Sequence, residues 1–286
     1  MSSSNISTEV NPLQLESLIK SILGNYLRKD WVTELCIQDK QIVTAFITAK
    51  EPVVVAGTEI ATEISRQISN DIAVEKLVEN SVSIEKGTPL LKLTGKGRDI
   101  IQAGKPILHF LRRMCRVATL TQSFVHKLQH TPVEFLEYSD ETSATKVMER
   151  SAMLAGGAKI QRLFSTPGVI LTRQHLLLSP GISHAISTLL ESLAPTVKIS
   201  IETNSLEEIH EACEAGANMI LTENLSLPYL RMAARSLQGR ALITVKGHIE
   251  LDKIAAIAET GINFIASSTP IEDRHRANLD LGIHSS

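Results

Sequence analysis

The chain has 286 residues, 43% of them apolar, enough to bury a full core in one or two domains. Its 29 basic side chains nearly balance 31 acidic ones, so no global field favours nucleic acid or a membrane surface. Aromatics at 3% leave few platforms for stacking bases. No apolar run approaches the roughly 20 residues of a membrane-spanning helix. The start, Met1-Ser-Ser-Ser-Asn5, lacks the basic residues and hydrophobic stretch of a signal peptide, and a cytoplasmic location is expected. Cys36, Cys115 and Cys213 are odd in number and far apart. They read as reduced, mostly buried thiols without metal-ligand spacing.

Taken in order, the polar residues 1–10 are expected to be loosely held. Pro12 to Tyr26 carries Leu13, Leu15, Leu18, Ile19, Ile22 and Leu23 at helical spacing, with Gly24-Asn25 as a stop. Val43–Thr48 and Val53–Ala56 are β-rich, Thr58–Ser69 is helical, and Val82–Gly95 alternates strand pieces with turns. These make an α+β layer. A long helix runs from Arg98 to Leu128 past Pro106, with the domain boundary near residues 112–117. After it, strand and helix alternate. Val133–Leu136 is a strand, Glu137–Thr145 a polar loop, and Lys146–Ala155 a helix ending at Gly156-Gly157. Val169–Leu171 is a strand ending at Thr172-Arg173-Gln174-His175, and the helix Gly181–Leu193 follows. Strands at Lys198–Glu202, Ala217–Leu221, Ala241–Val245 and Ile262–Ala266 are separated by helices at Ser205–Ala215, Leu227–Leu237 and Asp252–Glu259. Five or six strands in such βαβ units make a parallel sheet, open or closed into a barrel. The pattern lapses after Pro270, and Asp273–Ser286 is expected to fold back on the first domain.

In a barrel the carboxyl ends of the strands line the active site. Here those ends carry Glu202, Glu223, Lys246 and Ser267. A satisfied polar cap on the barrel mouth is the alternative reading for the two glutamates.

The α+β head and the long helix with Arg113-Met-Cys-Arg-Val-Ala-Thr-Leu-Thr121 come first. The Ala-Gly-Gly-Ala turn at 155–158 and a barrel with Glu202 and Glu223-Asn224 at strand ends follow. Together they resemble the quinolinate phosphoribosyltransferases, also called carboxylating nicotinate-nucleotide pyrophosphorylases. Ala49-Lys-Glu-Pro-Val-Val-Val-Ala-Gly57 is similar to that family's strand and turn before its second helix. The resemblance covers nearly the whole chain. It implies an α/β protein with an N-terminal α+β open-sheet domain, residues 1–115, and an incomplete TIM-like barrel, residues 116–270. The tail 271–286 would pack on the first domain. It implies transfer of a phosphoribosyl group from 5-phosphoribosyl-1-pyrophosphate to quinolinate with Mg²⁺, releasing pyrophosphate and carbon dioxide and making nicotinate mononucleotide for NAD synthesis. It also implies a homodimer or dimer-based oligomer whose site receives an arginine from the neighbouring subunit.

Carried over by position, Glu202 and Glu223 would act on the ribose and hold Mg²⁺. Lys105, Arg162, His175, Lys246, Gly247, His248 and Ser268 would hold substrate and phosphate. The departures fall on the anion clamps. The family's Asp-Thr-Arg-Lys-Thr strand end falls on Glu137 to Glu141, so its arginine is Ser139 and its lysine Asp140. Its Asn-His-Arg is Ile160-Gln161-Arg162, its Lys-Asp-Asn-His is Thr172-Arg173-Gln174-His175, and its Glu-Arg pair is Gly104-Lys105. Its Ser-Gly-Gly turn is Lys246-Gly247-His248, and the glycine of the next phosphate loop is Ser268. A charge pair at 4 Å is worth about 4 kcal/mol at an effective dielectric of 20. Exchanging lysine for Asp140 therefore turns attraction towards a polyanion into repulsion. The sequence points to a divergent phosphoribosyl or related glycosyl transferase with a rewritten anion site and a less anionic acceptor. The alternative is a catalytically lapsed homologue serving as a binding or regulatory subunit.

Overall fold

The computed structural model describes residues 12–24, 26, 30–38, 41–138, 146–160, 168–237 and 239–285. The chain begins with helices α1 (Pro12–Leu23) and α2 (Trp31–Cys36), the latter capped by the Asp30 carboxylate, which accepts the N–H groups of Val32 and Thr33. Then come β1 (Ile42–Ala49), β2 (Val53–Val54), α3 (Thr58–Ile68), β3 (Ala73–Lys76), β4 (Ser83–Ile84), β5 (Pro89–Lys96) and the 32-residue helix α4 (Gly97–Leu128), which runs through Pro106. The second half alternates: β6 (Glu134–Leu136), α5 (Lys146–Ala155), β7 (Gly168–Leu171), α6 (Arg173–Leu178), α7 (Ile182–Ser192), β8 (Lys198–Thr203), α8 (Leu206–Glu214), β9 (Met219–Thr222), α9 (Leu227–Leu237), β10 (Leu242–Gly247), α10 (Ile254–Ala258), β11 (Phe264–Ser267), α11 (Thr269–Glu272) and β12 (Leu279–Ser285).

The described residues fall into two compact units. The first holds those within 1–122, 139–157 and 273–286, and the second those within 123–138 and 158–272. In the first unit β12, β1, β5 and β3 form an antiparallel sheet in that order. Along β1 the residues Val43, Ala45, Ile47 and Ala49 are buried while Thr44, Phe46 and Thr48 between them are half-buried, the period-two pattern of a sheet with one face on a core. That core includes Leu91 and Leu93 of β5 and Ile100, Ile107, Leu111 and Met114 of α4. The tail, expected to lose its pattern, is a strand. Leu279, Leu281 and Ile283 alternate along it, and it pairs with β1 from Val43↔Ser285 to Ala49↔Leu279. Gly104 of α4 belongs to this packing, because a Cβ there would overlap the Leu281 side chain. The departure from glutamate at position 104 thus follows from how closely the helix meets the tail.

The second unit is a six-stranded parallel sheet in the order β6-β11-β10-β9-β8-β7. Among the described residues β6 and β7 do not pair, and an isolated parallel bridge, Leu136↔Lys159, lies on β6. Ile199, Ile201, Ile220, Ile243 and Ile265 are buried on the strands, and Ile209, Ala212, Leu230, Ala233 and Leu237 on α8 and α9. Helix α9 has the predicted bounds. Helix α10 is shorter than the predicted Asp252–Glu259, whose first residues form a turn. Helix α6 was not foreseen, because its Leu177 and Leu178 are exposed and leave no amphipathic stripe to read. Cys115 and Cys213 are buried as expected. Cys36 is exposed, since α2 buries none of its residues.

Thr203, Thr222 and Thr244 sit on three adjacent strands with buried hydroxyls that find no hydrogen-bond partner. A buried unsatisfied hydroxyl costs about 1–3 kcal/mol. Thr222→Val keeps the shape, removes that cost and suits a strand, so it is expected to raise stability by about 1 kcal/mol. The check is a higher urea midpoint at unchanged slope, and a lower midpoint would contradict it.

Candidate active site

The βα repeat places Glu202 near the end of β8, Glu223 just after β9, Lys246 near the end of β10 and Ser267 at the end of β11. Lys246 and Glu202 are two strands apart, yet the lysine Nζ donates to Glu202 Oε1 at 2.6 Å. The backbone N–H of Arg173, opening α6, donates to the other oxygen, Oε2, at 2.9 Å. The Lys246 and Glu202 side chains are only 14% and 16% exposed. Burial pushes the Glu202 carboxyl up, but the Lys246 ammonium and the Arg173 N–H outweigh it and hold the group below the ordinary glutamate value.

Gly247 follows Lys246 with φ of +112°, a left-handed conformation that favours glycine. A Cβ there would stand 2.7 Å from Glu223 Oε1, so the absence of a side chain lets the Glu223 carboxylate lie over the backbone next to Lys246. Asn224 adopts φ of +60°, a conformation asparagine tolerates and one that turns the chain sharply after β9. The structure thus brings Glu202, Glu223, Lys246 and Gly247 together.

Other expected site residues are engaged elsewhere. His248 is exposed, and its Nδ1 lies 2.6 Å from Glu272 Oε2. The Ser268 hydroxyl and then His248 hold the Glu272 carboxyl below its ordinary value. Ser268 is buried, and its backbone N–H donates to Gly247 O at 3.1 Å, so that N–H is spent within the fold. Ser267 is fully buried and bonds both Ile249 and Thr269. His175 is exposed, with Nδ1 accepting from the Thr172 N–H at 3.1 Å and lying 2.9 Å from its hydroxyl. Lys105, in the first unit, is 76% exposed and lies 3.7 Å from Asp30 Oδ2, in a cleft of about 500 Å³ shared with Tyr26 and Arg98. Arg162 lies outside the described residues, as do Ser139, Asp140 and Glu141.

Two features escaped the sequence reading. Arg173 is pinned by Glu208, whose two oxygens accept from its Nη1 at 2.8 and 2.9 Å, and this presents its backbone N–H to Glu202. Glu272 Oε2 meets the ring of His248. Neither carries a local motif, because each pair closes across a βα unit.

The Mg²⁺ expected at Glu202 and Glu223 does not fit this arrangement. Each oxygen of Glu202 already accepts a hydrogen bond, Oε1 from a full cation that a divalent ion would have to displace or face, and among the described residues no side chain bonds the Glu223 carboxylate. Among the described residues no cluster of three or more His, Cys, Asp or Glu side chains is placed to hold a metal.

Comparisons with known proteins bear on this geometry. The family described as "Quinolinate phosphoribosyl transferase, N-terminal domain" matches residues 30–115, and "Quinolinate phosphoribosyl transferase, C-terminal domain" matches residues 117–283. A probable carboxylating nicotinate-nucleotide pyrophosphorylase of Synechocystis is 27% identical over 90% of this chain and 88% of its own. A decarboxylating quinolinate phosphoribosyltransferase of Nicotiana tabacum is 25% identical over 84% of this chain and 73% of its own. Among solved structures, the nicotinate-nucleotide pyrophosphorylase of Francisella tularensis superposes with a TM-score of 0.88 at 22% identity. It covers 97% of this chain and 98% of that one. The Ehrlichia chaffeensis protein of the same name gives 0.87 at 21%, covering 97% and 100%. At these identities the structural likenesses establish the fold.

Proposed function

This chain belongs to the quinolinate phosphoribosyltransferase family, and we propose that it transfers a phosphoribosyl group to an acceptor less anionic than quinolinate. It is a phosphoribosyltransferase-like protein of the kind used in NAD synthesis. The observation that carries the acceptor reading is the internal pairing of the strand-end cations. Lys246 gives one of its three donors to Glu202, and Arg173 is held by Glu208. A dicarboxylate acceptor needs uncompensated cations in fixed geometry. Among the described residues, strand-end cations partly compensated in this way favour an acceptor with one negative charge or none.

In this reading Glu202 and Glu223 accept hydrogen bonds from ribose hydroxyls. Lys246 donates its remaining N–H groups to phosphate oxygens, and the open backbone at Gly247 admits the sugar phosphate. The protein works as a homodimer or dimer-based oligomer in the cytoplasm, with 5-phosphoribosyl-1-pyrophosphate as donor. No helix among the described residues is long and apolar enough to cross a membrane.

The test is calorimetric titration with 5-phosphoribosyl-1-pyrophosphate, with and without Mg²⁺. Incubation with quinolinate and with a panel of singly charged and neutral heteroaromatic acceptors follows, with products read by mass spectrometry. Donor binding with a mononucleotide product from the panel but not from quinolinate is expected. Nicotinate mononucleotide from quinolinate would overturn the acceptor reading. No donor binding at millimolar concentration would favour a lapsed homologue, a reading to which the same internal pairing also lends weight.

A further inference from the structure

The disagreement between Glu202 and a divalent ion has a positive side. Lys246 reaches Glu202 from two strands away, over β9, and the two side chains are shielded alike, at 14% and 16% exposure. An ammonium has three donors. One is given to Glu202 Oε1, and no other described residue engages the rest. The Glu223 carboxylate lies over Gly247, the next residue in the chain. One cation with two unused donors therefore stands among the acidic strand ends. A divalent ion placed on Glu202 would have to expel the ammonium or sit beside it against charge repulsion, in a partly desolvated place where that repulsion is poorly screened.

We infer that Lys246 Nζ is the resident cation of this site: it occupies the place at Glu202 that a divalent ion would need, and it holds a phosphorylated ligand without metal. The lysine serves as a point charge for phosphate. It is fixed by Glu202 Oε1, while Oε2 is fixed in turn by the Arg173 N–H. The ligand in this inference rests on the phosphoribosyl reading; the exclusion of the metal does not.

Two arms separate the ideas. In the first, Mn²⁺ alone is titrated into the full-length protein and followed by electron paramagnetic resonance. The unsubstituted protein is expected to bind no Mn²⁺ at millimolar concentration. Lys246→Ser, which frees Glu202, is expected to gain affinity by about tenfold or more. In the second, 5-phosphoribosyl-1-pyrophosphate is titrated calorimetrically in EDTA and in excess Mg²⁺. The dissociation constant of the unsubstituted protein is expected to change by less than about threefold between the two. Lys246→Ser is expected to lose about tenfold or more in EDTA and to recover with Mg²⁺, while Lys246→Arg keeps metal independence and controls for folding.

Donor binding that requires Mg²⁺, or Mn²⁺ binding to the unsubstituted protein that Glu202→Gln abolishes, would overturn the inference and leave the phosphoribosyl reading intact. If the donor binds under neither condition, that reading fails and the Mn²⁺ arm still decides. Gain of Mn²⁺ on Lys246→Ser supports the resident cation, and the same response from both proteins sinks it.

Discussion

Replacing Lys246 by methionine is expected to destabilise the second unit by about 2–3 kcal/mol at neutral pH, although the apolar stem is kept. Removing one partner of a fully buried ion pair costs about 3–5 kcal/mol, because the remaining charge is left without compensation. Here both side chains keep some solvent, at 14% and 16% exposure, so the figure is reduced. The Arg173 N–H stays on Glu202 in the variant but carries no full charge to replace the ammonium. The sign of the pH dependence follows from the lowered Glu202 carboxyl. A depressed carboxylate contributes stability above its unfolded value, about 4.3 for glutamate, and loses it as pH falls through the folded value. The gap between the two proteins should therefore be full at pH 7, begin to shrink as pH falls past the unfolded glutamate value of about 4.3, and be lost through the lowered folded value. Adding Glu202→Gln to Lys246→Met should restore about 1–2 kcal/mol by removing the stranded charge. Urea unfolding followed by circular dichroism at several pH values reads both results. Equal stabilities at pH 7 would mean the pair is a surface contact of little weight.

The second large effect is expected in the first unit. Asp273 opens the tail, and its Oδ2 meets Arg116 of α4 at 2.6 Å. Its Oδ1 accepts the His275 N–H at 2.9 Å and lies 2.6 Å from His275 Nδ1. Burial pushes this carboxyl up, but the His275 backbone and ring and then Arg116 prevail and hold it down at about 2. Asp273→Asn should cost on the order of 2 kcal/mol at pH 7. With an unfolded value near 3.9, that stability is fully present above about pH 4 and lost as the solution is acidified towards pH 2. A gap that stayed constant down to pH 2 would show the loss to be one of packing and not of charge.

The alternation of short β-branched runs with helical stripes was enough to read the parallel sheet, because each βα unit is local and buries its own residues. Leu227–Leu237 illustrates this: Leu230, Ala233 and Leu237 recur on one face and are buried. The tail strand was less legible. Leu279, Leu281 and Ile283 alternate, but β12 is an edge strand whose partner β1 lies at the other end of the chain. At the site, Glu202, Glu223, Lys246 and Gly247 could be named individually from strand-end position. That Lys246 and Glu202 neutralise each other could not be read, since register across three strands decides which side chains meet. His175 shows a different gap. Three residues after Thr172, it is spaced to satisfy the first turn of α6, a local role that competes with binding a ligand.

The pairing of β12 with β1 also sets an order of events in synthesis. Val43 and Ser285 are register partners roughly 240 residues apart, so at a ribosomal pace of about 5–20 residues per second β1 waits some tens of seconds for that neighbour. Through that interval one side of β1 presents unpaired N–H and C=O groups, the kind of edge that pairs with other chains. The second unit uses mostly local βα closures and can be assembled while the first still lacks its outer strand. Completion of the N-terminal sheet therefore waits until residue 285 has been made, and until then β1 is an open edge available to other chains.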